Sequence, residues 1–446
     1  MLVLVAAVSS NTAEAQAFRE IFGKNRIQYK EFDWNYYASE NFEVYFYDRG
    51  QDLARKTIDY LESEFSRITE TIGYPPFSKT RVFLYNSVTD KQQSNFGVQG
   101  RDFTVGGQTN FVQSQLEVAY TGDFSSFKGK LVETVTDMLI QEMLYGGNIA
   151  EMFQSSLGAP VPLWFTRGVS SYVAYGWDKK SDDAVREYIA QEKQVRFTRL
   201  NTESTALIGH SIWNFITQRF GKRSISNILN LARIIRNEEN SIERTLGIPF
   251  DQFMNDWKTF YANTAASFAE QYTAPNRDFI ITGKNKKDLK FTDIEFSPTG
   301  RYLAYSALDK GKFEVNLVDM QTQKTSLLFK AGLEYIDQEI DNEYPILSWA
   351  DSTTLGVVYG EDGANILAVK RIGSKGVQKI FIPILSKVQS FDFKDGGRIA
   401  VMTGSQNGIS DAFVYNLVRS QVRHITTDNF DDRDIRYVPG TNQVLF

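Results

Sequence analysis

The chain has 446 residues, of which 54 are acidic and 49 are basic, so its formal net charge is -5 at neutral pH. This length allows two or three domains, and the acidic balance argues against a nucleic-acid-binding protein. The chain has no cysteine and only two histidines, His210 and His424, which excludes disulfides, thiolate chemistry and a local histidine-rich zinc motif. Any metal site would need carboxylates, which suit Ca²⁺ or Mg²⁺ better than Zn²⁺.

The N-terminus has the pattern of a secretory signal. Residues 1–17 begin with an apolar run and end in the small-residue segment Ala13-Glu14-Ala15-Gln16-Ala17. A short buried strand is the alternative interpretation. Since no other apolar run is long enough to span a bilayer, we expect an exported periplasmic protein.

Residues 18–274 are predicted to form an α+β domain. Aromatic alternation predicts a strand over 40–47, and an amphipathic pattern predicts a helix from Gln51 to Gly73. Further strands are predicted over 81–86 and 111–120, the second as an edge strand beside a cleft. An exposed edge strand can bind an extended polypeptide by adding it to the sheet.

Two helices in the middle of this domain carry the candidate site. The first spans residues 131–144, where Val132, Val135, Leu139 and Met143 recur at helical spacing. The second follows Pro162 and continues to about Trp177. Further helices are predicted over 182–193, 204–220 and 224–235, with Ser204 and Gly221 capping the second of these, and residues 246–261 are expected to close the domain.

The two central helices resemble the active-site helices of peptidase MA-like (gluzincin) metalloproteases, in which the first carries H-E-x-x-H and the second W-F-x-E-G. In this sequence, Asp137 and Gln141 occupy the positions of the two histidine ligands. Met138 occupies the position of the general base, and Arg167 that of the third ligand. The resemblance extends over roughly residues 23–265, and its opening segment is similar to exported bacterial proteins that join such a domain to a TolB-type propeller.

These replacements predict the loss of zinc chemistry. Glutamine is a poor zinc ligand, Met138 cannot accept a proton from a bound water, and the permanent charge of Arg167 repels a divalent metal. We therefore expect no catalytic, cofactor-binding or metal-binding residues. Arg167 could instead pair with Asp137, and the alternative is that the resemblance is accidental. His210, alone near an apolar helix, is expected to be structural rather than a ligand or base.

The periodicity changes after a polar linker at 275–290. Residues 291–446 alternate as strands and repeat an aromatic position at Phe296, Trp349, Phe393 and Tyr437, at steps of 53, 44 and 44 residues. This spacing fits one four-stranded blade per repeat, and the Ser297-Pro298-Thr299-Gly300 turn resembles TolB-type blades. Three blades and part of a fourth cannot close a ring, so we expect further strands from a longer protein or from a partner.

The resulting expectation is a multidomain protein with an α+β, degenerate metalloprotease-like domain and an all-β, partial propeller. Its expected function is that of a non-catalytic, protein-binding or scaffold component of the periplasm and outer membrane. Expected partners are envelope or secreted proteins, in an outer-membrane assembly or secretion complex, with no nucleic acid and no transmembrane span. One alternative is a hydrolase with a rearranged carboxylate site that uses Asp137, Glu133 or Glu142. Another is a structural propeller whose first domain only caps its open edge.

Overall fold

The computed structural model describes residues 27–94, 115–145, 161–191, 202–269, 289–334 and 339–446. The predicted signal at 1–17 and most of the predicted linker lie outside these ranges. Helices precede the repeated sheets along the chain, so the protein is multidomain, as predicted. The first domain contains the helices α1 (Gln51–Ile72), α2 (Val88–Gln92), α3 (Phe124–Tyr145), α4 (Leu163–Tyr175), α5 (Lys179–Gln191), α6 (Thr202–Phe220), α7 (Arg223–Ile235), α8 (Glu238–Leu246) and α9 (Phe250–Ala269).

A four-stranded mixed sheet opens the first domain. Its strands are β1 (Asn35–Ala38), β2 (Phe42–Phe46), β3 (Thr80–Tyr85) and β4 (Gln115–Ala119), in that spatial order. β1 is antiparallel to β2, whereas β2, β3 and β4 are parallel. Within the described residues, β4 is an outer strand, as predicted for residues 111–120, of which 111–114 lie outside the described ranges.

The sheet and helices share one apolar core. Alternate residues Phe42, Val44 and Phe46 of β2 are buried, and α1 buries Leu53 and Leu61 against the same core. α1 connects two parallel strands, which is the usual role of a helix in such a crossover. The helix ends at Gly73, which adopts φ +72° as its C-cap.

Two glycines allow α4 and α6 to cross in backbone contact. A Cβ atom on Gly209 would lie 1.8 Å from the carbonyl oxygen of Trp164, and one on Gly168 would lie 2.4 Å from the carbonyl carbon of Gly209. Both distances are far below van der Waals contact. The Trp213 indole N–H also donates to the Phe165 carbonyl at 2.9 Å.

Several predicted helix boundaries were wrong. Ser204 lies inside α6, which already includes Thr202, so Ser204 is not its N-cap. The sequence reading also missed α2 and α8. α8 begins after Asn237, whose side chain accepts from the Asn240 N–H, and ends at Gly247. The charged composition of α8 hides the short apolar stripe that defines it.

The repeated C-terminal region forms three antiparallel sheets, with the four strands per repeat that the spacing predicted, and we refer to these sheets as blades. Each blade is a simple meander in which consecutive strands pair. The blades comprise β5–β8 (Lys290–Phe296, Tyr302–Asp309, Lys312–Asp319 and Lys324–Ala331), β9–β12 (Ile346–Trp349, Thr354–Glu361, Ala364–Arg371 and Gln378–Ile382) and β13–β16 (Lys387–Lys394, Ile399–Gln406, Ile409–Asn416 and Gln421–His424).

A fourth repeat begins with the two-stranded pair β17 (Arg436–Tyr437) and β18 (Val444–Leu445). The first strands of neighbouring repeats are joined by hydrogen bonds from backbone N–H groups to aspartate side chains. Asp293 accepts from the Leu347 N–H at 2.7 Å, and Asp392 accepts from the Tyr437 N–H at 2.9 Å. The described strands thus form three blades and one hairpin, and they do not close a ring.

One face of the first blade is not covered by another blade within the described residues. Leu347 and Phe391, at equivalent positions of the second and third blades, are each 1% exposed because the preceding blade covers them. At the corresponding position of the first blade, Ile294 is 61% exposed. Phe296, which corresponds to Trp349 of the second blade, is 56% exposed, whereas Trp349 is 7% exposed. The difference arises because, among the described residues, no other blade packs on this face of the first blade.

The two domains are in direct contact. The Tyr120 hydroxyl donates to the Gly408 carbonyl at 3.2 Å, and Asp123 pairs with Arg433. A Cβ on Gly408 would lie 2.4 Å from that of Leu53, so the blades approach α1 closely. In the described ranges, no helix combines the length and apolarity that crossing a membrane requires.

Candidate functional site

The predicted site residues lie where α3 packs against α4. Asp137, Met138 and Gln141 are partly buried on α3, whereas Arg167 on α4 is exposed. The two helices are neighbours, because the Ser171 hydroxyl of α4 donates to the Glu133 carboxylate of α3. The arrangement still presents one carboxylate, one amide and one guanidinium, which do not fit a zinc ion.

Arg167 does not pair with Asp137. None of the ion pairs found among the described residues joins these two side chains, and Asp137 has an interaction elsewhere. Because Arg167 is exposed, its charge is solvated rather than placed between the helices. The structure thus does not support the hypothesis that this guanidinium fills the space of the metal.

The described residues contain no group of three or more His, Cys, Asp or Glu side chains that could hold a metal ion. A divalent ion bound by carboxylates needs several converging oxygen ligands. Asp137 contributes one carboxylate at the interface between α3 and α4, which we call the helix seam. The side chains at the positions of the gluzincin zinc ligands therefore do not supply the set of donor atoms that the resemblance would require.

Glu133 binds α4 across the helix seam. The Ser171 hydroxyl donates to Glu133 Oε1 at 2.5 Å, and the Tyr175 hydroxyl donates to Oε2 at 3.3 Å. Burial and this carboxylate raise the pKa of Tyr175. The ring fits because Gly129 has no side chain: a Cβ there would lie 2.2 Å from Tyr175 Cε1. We refer to Glu133, Ser171 and Tyr175 as the seam cluster.

Glu142 has a different partner. The Tyr74 hydroxyl, from the loop after α1, donates to Glu142 Oε1 at 3.2 Å. Burial and the nearby carboxylate raise the pKa of Tyr74 to about 12. Glu133 and Glu142 thus bind different elements, α4 and the loop after α1. Neither of these two contacts involves Asp137.

His210 is held inside the helix layer. Its side chain is 5% exposed, and Nε2 lies within hydrogen-bonding distance of the Gly176 carbonyl oxygen. A carbonyl only accepts, so Nε2 carries the proton. The ring also packs edge-on against Trp177, with centroids 5.0 Å apart. Burial lowers the pKa of His210. These contacts agree with the structural role predicted for it.

The outer edge of β4 lies beside the blades. The Tyr120 N–H donates to the Tyr85 carbonyl at 2.8 Å, so alternation turns the backbone groups of Gln115 and Glu117 away from β3. Lys91 Nζ donates to the Glu117 carbonyl at 3.1 Å. The same ammonium pairs with Glu339 of the blade region at 2.9 Å. Sequence reasoning missed this contact because its partners are 248 positions apart.

No protein-family profile matches the chain, and no curated protein matches it. Among solved structures, it is similar to TolB from Acinetobacter baumannii at 12% identity and a TM-score of 0.26, over 34% of this chain and 39% of that chain. The chain thus spans about two fifths of that protein's length.

Two other solved structures are similar to the same limited degree. A putative TolB from Agrobacterium tumefaciens has 13% identity and a TM-score of 0.23, over 34% of this chain and 68% of that chain. A putative dipeptidyl aminopeptidase IV from Bacteroides ovatus has 13% identity and a TM-score of 0.25, over 30% of this chain and 22% of that chain. The similarity to TolB-type and peptidase propeller proteins is therefore weak, and it does not indicate a function for this chain.

Proposed function

We propose that this chain is a non-catalytic, protein-binding or scaffold component of the periplasm, associated with the outer membrane. In this proposal, residues 18–274 are a degenerate gluzincin-type domain and residues 291–446 are blades of a TolB-like propeller. Its partners would be envelope or secreted proteins of an assembly or secretion complex. No cofactor is needed for this function.

The observation that carries the proposal is the chemistry of the helix seam. The Glu133 carboxylate accepts two hydrogen bonds from α4, from Ser171 and Tyr175. Met138 stands at the position that a general base would occupy, and the cation Arg167 is at a ligand position. A seam of this kind holds two helices together and does not activate water. This supports binding rather than hydrolysis.

The β4 edge is the proposed contact for a polypeptide. Gln115 is exposed at the start of the strand, and its backbone groups alternate away from β3. Strand addition uses such outward groups for main-chain hydrogen bonds, and side-chain pockets then give specificity. Lys91, which already contacts the Glu117 carbonyl, would flank the bound chain.

The proposal is tested by incubating the purified chain with a fluorescently labelled, permanently unfolded casein. We expect the fluorescence anisotropy to rise with protein concentration while gel electrophoresis shows intact casein. Gln115→Pro removes one outward N–H without touching the β3 pairing and should weaken binding roughly fivefold, since one strand hydrogen bond is worth about 1 kcal/mol.

Gln115→Ala is the matched control, because it keeps the backbone N–H and should bind as the wild type does. Equal binding by the proline and alanine variants would remove β4 from the proposal. Cleavage of the casein by the wild-type chain would instead support the alternative hydrolase.

A further inference from the structure

α7 is a basic amphipathic helix on the surface of the first domain. The segment from Lys222 to Arg236 contains four basic residues and no acidic residue, although the whole chain has a net charge of -5. One side of the helix packs inward through Ile225, Ile228 and Leu229. Its outer side exposes Arg223, Arg233 and Ile234, and Ile234 is 71% exposed.

The loop after α1 places an aromatic side chain in solvent beside this helix. Phe77 is 93% exposed, the highest fraction among the large apolar side chains of the described residues. It follows Pro75 and Pro76, whose rings restrict the backbone. Tyr74 anchors the loop, since its ring is 7% exposed and its hydroxyl donates to Glu142 at 3.2 Å. Tyr74 therefore anchors the loop to the domain, while the Phe77 side chain extends into solvent.

The loop and the helix belong to one surface. A Cβ on Gly73 would lie 2.8 Å from Ser226 Cβ, so the chain enters the loop in contact with α7. The Tyr74 ring, 6.3 Å from that of Phe77, is close enough to Arg233 for the guanidinium charge to act on the tyrosine hydroxyl. Arg223 and Arg233 are the exposed cations of the outer side of α7, and the exposed acids that flank the surface are Glu70 at the end of α1 and Glu239 at the start of α8.

We infer that this surface, formed by residues 73–79 and the outer side of α7, docks on an anionic lipid bilayer. Exposed arginines attract an anionic headgroup layer, and an aromatic and an aliphatic side chain can enter the boundary between headgroups and acyl chains. Such docking is peripheral. It would place the first domain at a membrane surface without a transmembrane helix, and it does not depend on the β4 edge or on the helix seam.

The test uses the full chain and co-sedimentation with vesicles of phosphatidylcholine, alone and in an equimolar mixture with phosphatidylglycerol. We expect binding to the mixed vesicles at low salt and weaker binding at high salt. Phe77→Ala should weaken the partition roughly tenfold, because the phenyl ring is the inserted group. Arg233→Ala should weaken it about fivefold, the effect of one basic residue near an anionic surface.

Phe430→Ala is the matched control, since Phe430 is 78% exposed in the blade region and should not contribute. Each variant should have a near-native circular dichroism spectrum, because the substituted side chains are exposed. Such a spectrum excludes unfolding as the cause of weaker binding. Equal partition of the Phe77 variant and the wild type would overturn the inference, as would a lack of binding to the mixed vesicles. Binding to soluble polyaspartate but not to vesicles would assign the surface to an acidic protein instead.

Discussion

The helix layer and the blades differ in how their contacts are specified. In the layer formed by α3, α4 and α6, each contact occurs once: Gly209 meets Trp164, and Glu133 meets Ser171. In the blades, one position recurs in each repeat, and its burial depends on whether a neighbouring blade is present. The contacts between repeats can therefore be predicted from the sequence, because they recur at a fixed spacing. In the helix layer, the sequence predicts the helices but not which side chains meet.

The largest expected effect is at the helix crossing. Gly209→Ala places a Cβ 1.8 Å from the Trp164 carbonyl oxygen, and the backbone there cannot move without separating α4 from α6. We expect a loss of about 3 kcal/mol or more in the free energy of unfolding, measured by urea denaturation. Gly376→Ala is the control, since its nearest neighbour would be 3.9 Å away. Similar stability of the two variants would contradict the observed crossing.

The next effect compares equivalent positions in two blades. Trp349 is 7% exposed and its indole N–H donates to the Glu295 carbonyl at 3.1 Å, so Trp349→Ala should cost about 3 kcal/mol. Phe296→Ala, at a position 56% exposed, should cost less than about 1 kcal/mol. Chemical denaturation followed by circular dichroism measures both. A large loss at Phe296 would show that its face is covered in solution, and would support a further blade or a partner there.

A smaller effect is expected in the seam cluster. Ser171→Ala removes a hydrogen bond of 2.5 Å to the Glu133 carboxylate and should lower the free energy of unfolding by about 2 kcal/mol. Ser126 is a matched serine at the start of α3, whose hydroxyl also donates to a carboxylate, that of Asp123. Ser171→Ala should alter the packing of Tyr175 against α3, seen in its tyrosine fluorescence or NMR signals, whereas Ser126→Ala should not.

The smallest effect is a pH dependence from His210. Burial lowers its folded pKa below the ordinary 6.5, so the unfolded chain takes up this proton first as the pH falls. The stability contributed by neutral His210 is complete above pH 6.5 and is lost as the pH falls toward the folded pKa. His210→Gln should flatten this part of the stability profile, measured by thermal unfolding. An unchanged stability profile in the His210→Gln variant would contradict this assignment.

The sequence predicted the order of domains, most helices of the first domain and the three blades. Periodicity was sufficient for these because each element presents one apolar face to a shared core. It was insufficient for α8, where only Ser241 and Ile242 are buried, and for the start of α6, which begins at Thr202, two residues before Ser204.

At the site, the sequence predicted that α3 and α4 would be neighbours but not what their side chains would contact. Glu133 was considered with Asp137 because they share one helix face, whereas the structure directs its carboxylate to Ser171. The link between Lys91 and Glu339 depends on how two domains meet, and no local pattern encodes that placement. The charge and spacing of residues along one helix therefore indicate which side chains could interact. The packing of the helices against each other determines which of these contacts form.

The central claim is that the α3–α4 pair keeps the frame of a zinc protease without its metal chemistry. The most direct test is the zinc content of the quadruple variant Asp137→His, Met138→Glu, Gln141→His and Arg167→Glu, measured by mass spectrometry after dialysis beside the wild type. The account predicts about one tightly bound zinc ion per folded variant chain and none in the wild type. A folded variant without zinc, or a wild-type chain that retains zinc, would contradict it.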